Sequence, residues 1–433
     1  MNNRSKKIKI QLPDSILSQI FSKLGLKDLV KTSTLSKLWR HEWQLRTDLN
    51  FDLSNMFDKV QELPKSFLLL QGFQSEFVTR LDQFMLHYQG AMIDSIRVKC
   101  PLSYEHSDVI GRLIWKGITK GAKRIELLFA YEKNDDTRGF VLGLKPCIFS
   151  FDILSGTDTL TYLHLQNCRL AQPVDFSGLK NLRTLVLQVV AVRQNRLEGL
   201  FSNCIYLVDF TLDACEFESN LKIISPTLLH LNIVNCKVGI LKKKIDIIAS
   251  NLSSIEYSCN GYFVHKMNID APILSKFSFR GCQLYKPVGF FGLKNVATIV
   301  IDGLCEFQPT NIIPLLFSQC FQLEDVTFIN FKHIPDLNIT SPNLRHLKII
   351  ECSPLSIDIN ALNLASFEYS CHTRRNANIS VTAPMLSRVF WNAAKREKNP
   401  HPFGPITSLQ HIENLAMIIS TSQVSHSKTM FAS

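Results

Sequence analysis

A chain of 433 residues with 45% hydrophobic and 20% charged residues fits a folded, soluble protein of more than one unit. Its net charge of +11 suits nucleic acid or an acidic partner. The basic residues are scattered, however, and cluster only at Arg4, Lys6, Lys7 and Lys9 and from Lys242 to Lys244. No apolar run approaches the ~18 residues of a membrane helix. The opening MNNRSKKIKIQLPD has charge but no apolar core of a secretory signal. A nuclear or cytoplasmic protein with reduced thiols is expected.

Residues 1–10 read as a basic, frayed terminus, with a nuclear-import patch as the alternative. Residues 11–50 hold LPDSILSQIFSKLGLKDLVKTSTLSKLWRHEW, which reads as three short helices. Pro13 suits a first helical turn, and Ile16, Leu17, Ile20, Phe21 and Leu24 follow at helical spacing up to Gly25. Asp28, Leu29 and Val30 form a second turn; Leu35, Leu38, Trp39 and Trp43 form a third. So short a segment rarely buries its own apolar surface. Residues 51–92 read as a linker in which Phe77, Val78, Leu81, Met85 and Tyr88 make a helix able to seal the first repeat.

Residues 93–393 are governed by the pattern apolar-x-x-apolar-x-apolar. Loose copies occur at Ile93, Ile96 and Val98 and at Ala122, Ile125 and Leu127. Eleven firm copies start at Leu160, Leu182, Leu207, Leu228, Leu252, Leu274, Val296, Leu323, Leu344, Leu364 and Leu386, a mean spacing near 22.6 residues. That is the period of leucine-rich repeats. The fourth and sixth positions point to one side of a short strand, and stacked copies bury them in a continuous core with parallel strands. The fifth positions form a solvent-facing column: His164, Val186, Thr211, Asn232, Glu256, Ser278, Val300, Thr327, Lys348, Glu368 and Phe390. Residues 394–433 break the pattern with charge and proline; LQHIENLAMII there reads as a last strand or helix before a polar tail.

Two further regularities follow. Cys168, Cys215, Cys236, Cys282 and Cys352 stand eight residues after their repeat's first leucine, where this repeat class takes a small buried residue at the bend. Cys259 and Cys371 stand one residue earlier, and Cys204 and Cys320 three residues before the next repeat, so structural roles are expected rather than metal or catalytic ones. Blocks of five repeats are also duplicated: LQNCRLAQPVDFSGLKN matches FRGCQLYKPVGFFGLKN, and NLSSIEYSC matches NLASFEYSC, with offsets of 114 and 112 residues.

The segment from Leu12 to Trp43 resembles an F-box. Its opening Leu-Pro-Asp, its Ser-x-Leu-Ser-Lys run and the tryptophans flanking Arg40–Glu42 carry the likeness. Followed by these repeats, it resembles the plant F-box/leucine-rich-repeat family. Departures are Leu24-Gly25 where many relatives have Leu-Pro, and Lys37-Leu38-Trp39 where many have Lys-Arg-Trp. Nothing after Ala394 resembles the FBD domain that ends many relatives.

The resemblance implies an α/β fold, with a short three-helix F-box ahead of a curved leucine-rich-repeat solenoid whose parallel strands line the concave face. It implies a non-catalytic substrate receptor of a Skp–cullin–F-box ubiquitin ligase, reached through a Skp-type adaptor and, beyond it, a cullin and a RING protein. Adaptor contacts would fall on Leu12, Pro13, Ile16, Leu17, Ile20, Leu29, Val30, Leu35, Ser36 and Trp39. A protein target would meet the strand face, where Lys276, Arg280, Arg345, His346 and Lys348 offer a basic patch for an acidic peptide or phosphate, or are solvated strand residues. No cofactor and no metal are expected. The alternatives are a repeat scaffold outside any ligase and, on the basic balance, a nucleic-acid binder.

Overall fold

The computed structural model describes residues 13–57 (less 36 and 38), 67–130, 145–171, 178–217, 220–238, 244–259, 266–281, 292–303, 312–331, 336–371, 378–393 and 412–418. The basic clusters at Arg4–Lys9 and Lys242–Lys243, together with Cys282, Cys305 and most of the stretch after Ala394, lie outside these residues. The fold is a parallel-strand β-solenoid preceded by short helices, and the chain divides into residues 1–182 and 183–433.

In the first unit, α1 (Asp14–Lys23) and α2 (Leu26–Thr32) are followed by a 3-10 turn, Trp39–Leu45, where a third α-helix was expected. The chain leaves α2 through i−3 bonds from the Thr34 and Leu35 amides, and the Trp43 indole donates to the Arg40 carbonyl at 3.1 Å, again over three residues. The first solenoid strand is Asp48–Asp52, earlier than the expected start at residue 93. It pairs in parallel with Ser95–Lys99, which pairs with Arg124–Leu128, which pairs with Tyr162–Gln166. Leu49 and Phe51 occupy the fourth and sixth positions, but Arg46 stands where the pattern wants its leading aliphatic. Helices α3 (Leu53–Met56), α4 (Phe67–His87) and α5 (Ser107–Thr119) also belong to this unit, with α5 bridging two strands, as does a second parallel pair, Cys147–Phe149 with Cys168–Leu170.

In the second unit every expected repeat from Leu182 to Leu386 forms its strand, in one parallel ladder from Thr184–Gln188 to Arg388–Ala393. A further strand, Asn414–Ile418, pairs beyond residue 393 in the same register, so part of the final apolar segment is a twelfth copy. The duplication is visible as architecture. Helix α6 (Gln194–Asn203) precedes three back strands, Leu221–Ile224, Lys244–Ile248 and Lys266–Asp270; helix α7 (Ile312–Gln319) precedes Asp336–Thr340, Ser356–Asn360 and Asn378–Thr382.

Two devices tie successive repeats together. Asparagines just before a repeat's first leucine donate to the carbonyl two residues before the preceding repeat's: Asn295 to Pro272 (2.5 Å), Asn343 to Phe321 (2.8 Å) and Asn363 to Pro342 (2.7 Å). At the bend leaving the strand, the eighth position is left-handed: Asn167, Val189, Ala214, Asn235, Asn330 and Glu351 have φ between 49° and 61°. The cysteine after it then turns inward. Cys215, Cys236 and Cys352 donate to the sixth-position carbonyls of the preceding repeats, Leu187, Leu212 and Phe328, at 3.2, 3.4 and 3.6 Å. A carbonyl buried at a bend needs such a partner, and a thiol fits where a longer side chain would not.

Candidate functional site

Two surfaces carry the residues singled out by the sequence. The first is the helical segment. Phe21, Leu26, Leu29 and Trp43 are buried within the chain. Trp43 packs on Phe84 of α4 with ring centroids 5.0 Å apart, and Phe84 in turn meets Phe51 of the first strand at 5.3 Å. Polar ties reinforce this seat: Asn55 Oδ1 accepts from the Leu26 amide at 3.2 Å, Lys27 donates to the Phe57 carbonyl at 2.9 Å, and Arg46 donates to the Leu24 carbonyl. Phe21, Leu26, Leu29 and Trp43 are therefore covered by the chain itself.

Four other aliphatics are not. Ile16 and Ile20 of α1, Val30 of α2 and Leu35 beyond it are 44%, 42%, 37% and 71% exposed. Pro13 is exposed and Trp39 half-buried, its ring edge-on to Phe21 at 5.8 Å. Leu29 is 1% exposed, so it holds α2 in place and is not available as a contact. Leu17 lies in α1, while Leu12 and Ser36 lie outside the described residues.

The second surface is the solvent face of the sheet. The register confirms the fifth-position column in the second unit, from Val186 through Thr211 and Asn232 to Phe390. Four members of the expected basic patch already face carboxylates. Arg280 pairs with Asp302 at 2.9 Å, Arg345 with Glu324 at 3.7 Å, His346 lies 3.8 Å from Asp325, and Lys348 pairs with Glu368 at 2.8 Å. Each partner sits on the adjacent repeat, so Arg280, Arg345 and Lys348 are neutralised by their neighbours, while His346 faces Asp325. Lys276 stands apart from them. Repeat numbering carried the signal: Arg280 and Asp302, like Lys348 and Glu368, hold equal positions in adjacent copies.

Cys100, Cys147, Cys168, Cys204, Cys215, Cys236, Cys320, Cys352 and Cys371 are buried and none of them forms a disulfide. Burial pushes the Cys204, Cys320 and Cys352 thiols up to about 12, which opposes the thiolate needed for nucleophilic or metal chemistry. Among the described residues no group of three or more His, Cys, Asp or Glu side chains is placed to hold a metal. No described helix is long and apolar enough to cross a membrane.

Comparison with known proteins matches residues 10–46 to the F-box domain and residues 96–273 to the At1g61320/AtMIF1 LRR domain. The putative FBD-associated F-box protein At1g61330 of Arabidopsis thaliana is 29% identical over 51% of this chain and 43% of its own length. The F-box/FBD/LRR-repeat protein At5g56420 of the same plant is 28% identical over 50% of this chain and 46% of its own. The chain thus spans less than half the length of these two relatives. F-box/FBD/LRR-repeat protein At1g13570 is 27% identical over 78% of this chain and 74% of its own length. The chain therefore carries an F-box followed by leucine-rich repeats and is related to the F-box/FBD/LRR-repeat proteins of Arabidopsis thaliana.

Proposed function

We propose that this protein is the substrate-recognition subunit of a Skp–cullin–F-box ubiquitin ligase, acting in the nucleus or cytoplasm. One observation carries the reading: four aliphatics of the F-box, Ile16, Ile20, Val30 and Leu35, stay exposed while the residues beneath them are buried against the same chain. Exposed aliphatic anchors above a fixed base are what a protein interface needs at its centre. A Skp-type adaptor is the cover that an F-box implies, and a cullin and RING protein would follow through it. The strand face would hold a protein target close to the ubiquitin-charged enzyme, and the chain's part in catalysis would be proximity. No step of that role asks a residue of this chain to act as acid, base or nucleophile.

The test is co-purification of the full chain with a Skp-type adaptor, comparing wild type with Ile16→Asp/Ile20→Asp. Both positions are exposed, so the variant should melt as wild type does and yet lose adaptor retention at least tenfold. Equal retention of the two proteins overturns the reading and leaves the repeat scaffold in its place.

A further inference from the structure

The duplication offers an internal comparison on the solvent face of the second unit. Consider the third position of each repeat, the first residue of the strand. Register places Thr184, Asp209, His230, Ser254 and Lys276 side by side on five successive strands. The next five strands carry Thr298, Asp325, His346, Ser366 and Arg388 in the same order. Four residues are identical and the fifth keeps its charge. Local geometry is repeated as well: Thr184 Oγ1 donates to Asp209 at 3.3 Å, and Thr298 Oγ1 donates to Asp325 at 3.4 Å.

Burial does not explain this retention, because every member of the row is half-buried or exposed. Recent copying does not explain it either. The seventh-position row of the same strands has diverged: Gln188, Asp213, Val234, Ser258 and Arg280 face Asp302, Ile329, Ile350, Ser370 and Asn392, with one identity in five. Between them the fifth-position row keeps three of five, Val186/Val300, Thr211/Thr327 and Glu256/Glu368, so retention falls along the strand from its first exposed position, and that most retained exposed row is the one that points to recognition.

Its chemistry is directional. Each row runs from a threonine-tied carboxylate to a histidine, a serine and then a cation. His230 Nδ1 lies 2.8 Å from Ser254 Oγ. Among the described residues no carboxylate forms an ion pair with Lys276 or Arg388, in contrast to Arg280, Arg345 and Lys348. Asp209 lies three strands from Lys276 and Asp325 two strands on its other side, roughly 14 and 10 Å at ~4.8 Å per strand, and Asp325 lies three strands from Arg388. An uncompensated cation beside a hydroxyl and an imidazole is a donor set for an anion.

We infer that His230, Ser254 and Lys276, and again His346, Ser366 and Arg388, form two equivalent anion subsites that together hold an extended partner segment bearing two phosphoryl or carboxylate side chains. The subsites are five strands apart, about 24 Å at ~4.8 Å per strand, and an extended segment advances ~3.3 Å per residue, so the two anionic side chains are about seven residues apart. As a description of the target, this rests on the reading of the strand face as the target-binding surface.

The test uses the purified full chain without any adaptor, and fluorescence anisotropy of synthetic Gly/Ser peptides. They carry one phosphoserine, two spaced by three, seven or eleven residues, or two glutamates spaced by seven. The doubly phosphorylated peptide of spacing seven should bind at least tenfold tighter than the singly phosphorylated one, since the second contact is intramolecular. Lys276→Ala or Arg388→Ala should each remove that gain, Lys276→Arg should keep it, and neither alanine variant should alter the melting profile. The glutamate peptide tells which anion is preferred: tight binding makes the ligand an acidic segment, weak binding a phosphorylated one. Affinity independent of spacing, or retained within twofold by Lys276→Ala/Arg388→Ala, overturns the inference. Because no adaptor is present, failure of adaptor retention by the F-box leaves this result untouched, and the reverse also holds.

Discussion

The F-box and the repeats meet the hydrophobic effect in opposite ways. In the repeats, each strand places its fourth and sixth side chains against those of its neighbours; Leu347, Ile349, Phe367 and Tyr369 are all buried, and each copy completes the one before it. In the F-box, Phe21, Leu26, Leu29 and Trp43 are buried, yet Ile16, Ile20, Val30 and Leu35 face solvent on the same short helices. One region is finished by repetition. The other is left unfinished on one side, which is the state expected of half an interface.

The sharpest way to break this contrast is to excavate both regions. Phe367→Ala, fully buried in the stacked core, should cost about 3–5 kcal/mol and lower the denaturation midpoint of the repeats. Leu29→Ala should cost about 2–5 kcal/mol within the F-box and weaken adaptor retention only through lost folding, so added stabilising co-solvent should restore it. If Leu29→Ala instead melts as wild type while losing retention, Leu29 is a contact after all.

Thiol titration comes next in size. Burial raises Cys204, Cys320 and Cys352 to about 12, above the ordinary thiol value that an unfolded chain shows. The unfolded state therefore releases these protons first as pH rises. Their contribution to stability is full below about pH 8.5 and is lost as pH climbs through about 12. Denaturation midpoints should fall over that window, and Cys→Ala at the three positions should flatten the fall. A disulfide-exchange reagent should meanwhile find them unreactive until the chain unfolds.

The smallest effect lies at the bends. Val189 holds the left-handed conformation, φ 55°, that Asn167, Asn235 and Asn330 hold at equivalent positions. A β-branched residue is strained there, so Val189→Gly should stabilise the second unit by up to about 1 kcal/mol in chemical denaturation. A loss of stability would mean that the valine side chain packs better than its backbone conformation costs.

These outcomes track what was legible in the residues. The repeat was plain because burial of the fourth and sixth positions recurs eleven times, and the exposed column followed from strand alternation alone. The first strand was hidden by Arg46, because a terminal copy has no predecessor to bury its leading position and so need not keep a leucine there. The fate of the basic candidates depended on who stands beside whom. Arg345 reads as free charge until Glu324 is set on the adjacent strand, and that needs register rather than composition. Within the F-box, helical spacing gathered Ile16, Ile20 and Leu29 alike; only packing against α4 and the first strand separated the buried from the exposed.

The asparagine rungs have a consequence for how such a chain changes length. Because Asn343 reaches the Phe321 carbonyl and Asn363 reaches that of Pro342, every rung joins the same two addresses in consecutive copies. Excising the whole copy of residues 344–363 would leave Asn343 on Phe321, now directly ahead of Leu364, and keep the rungs matched, whereas removing a fraction of a copy would strand a donor and an acceptor. The molecule can be lengthened or shortened in whole turns, like a chain of identical links. Its tolerance to insertion and deletion is thereby quantised at about one repeat period.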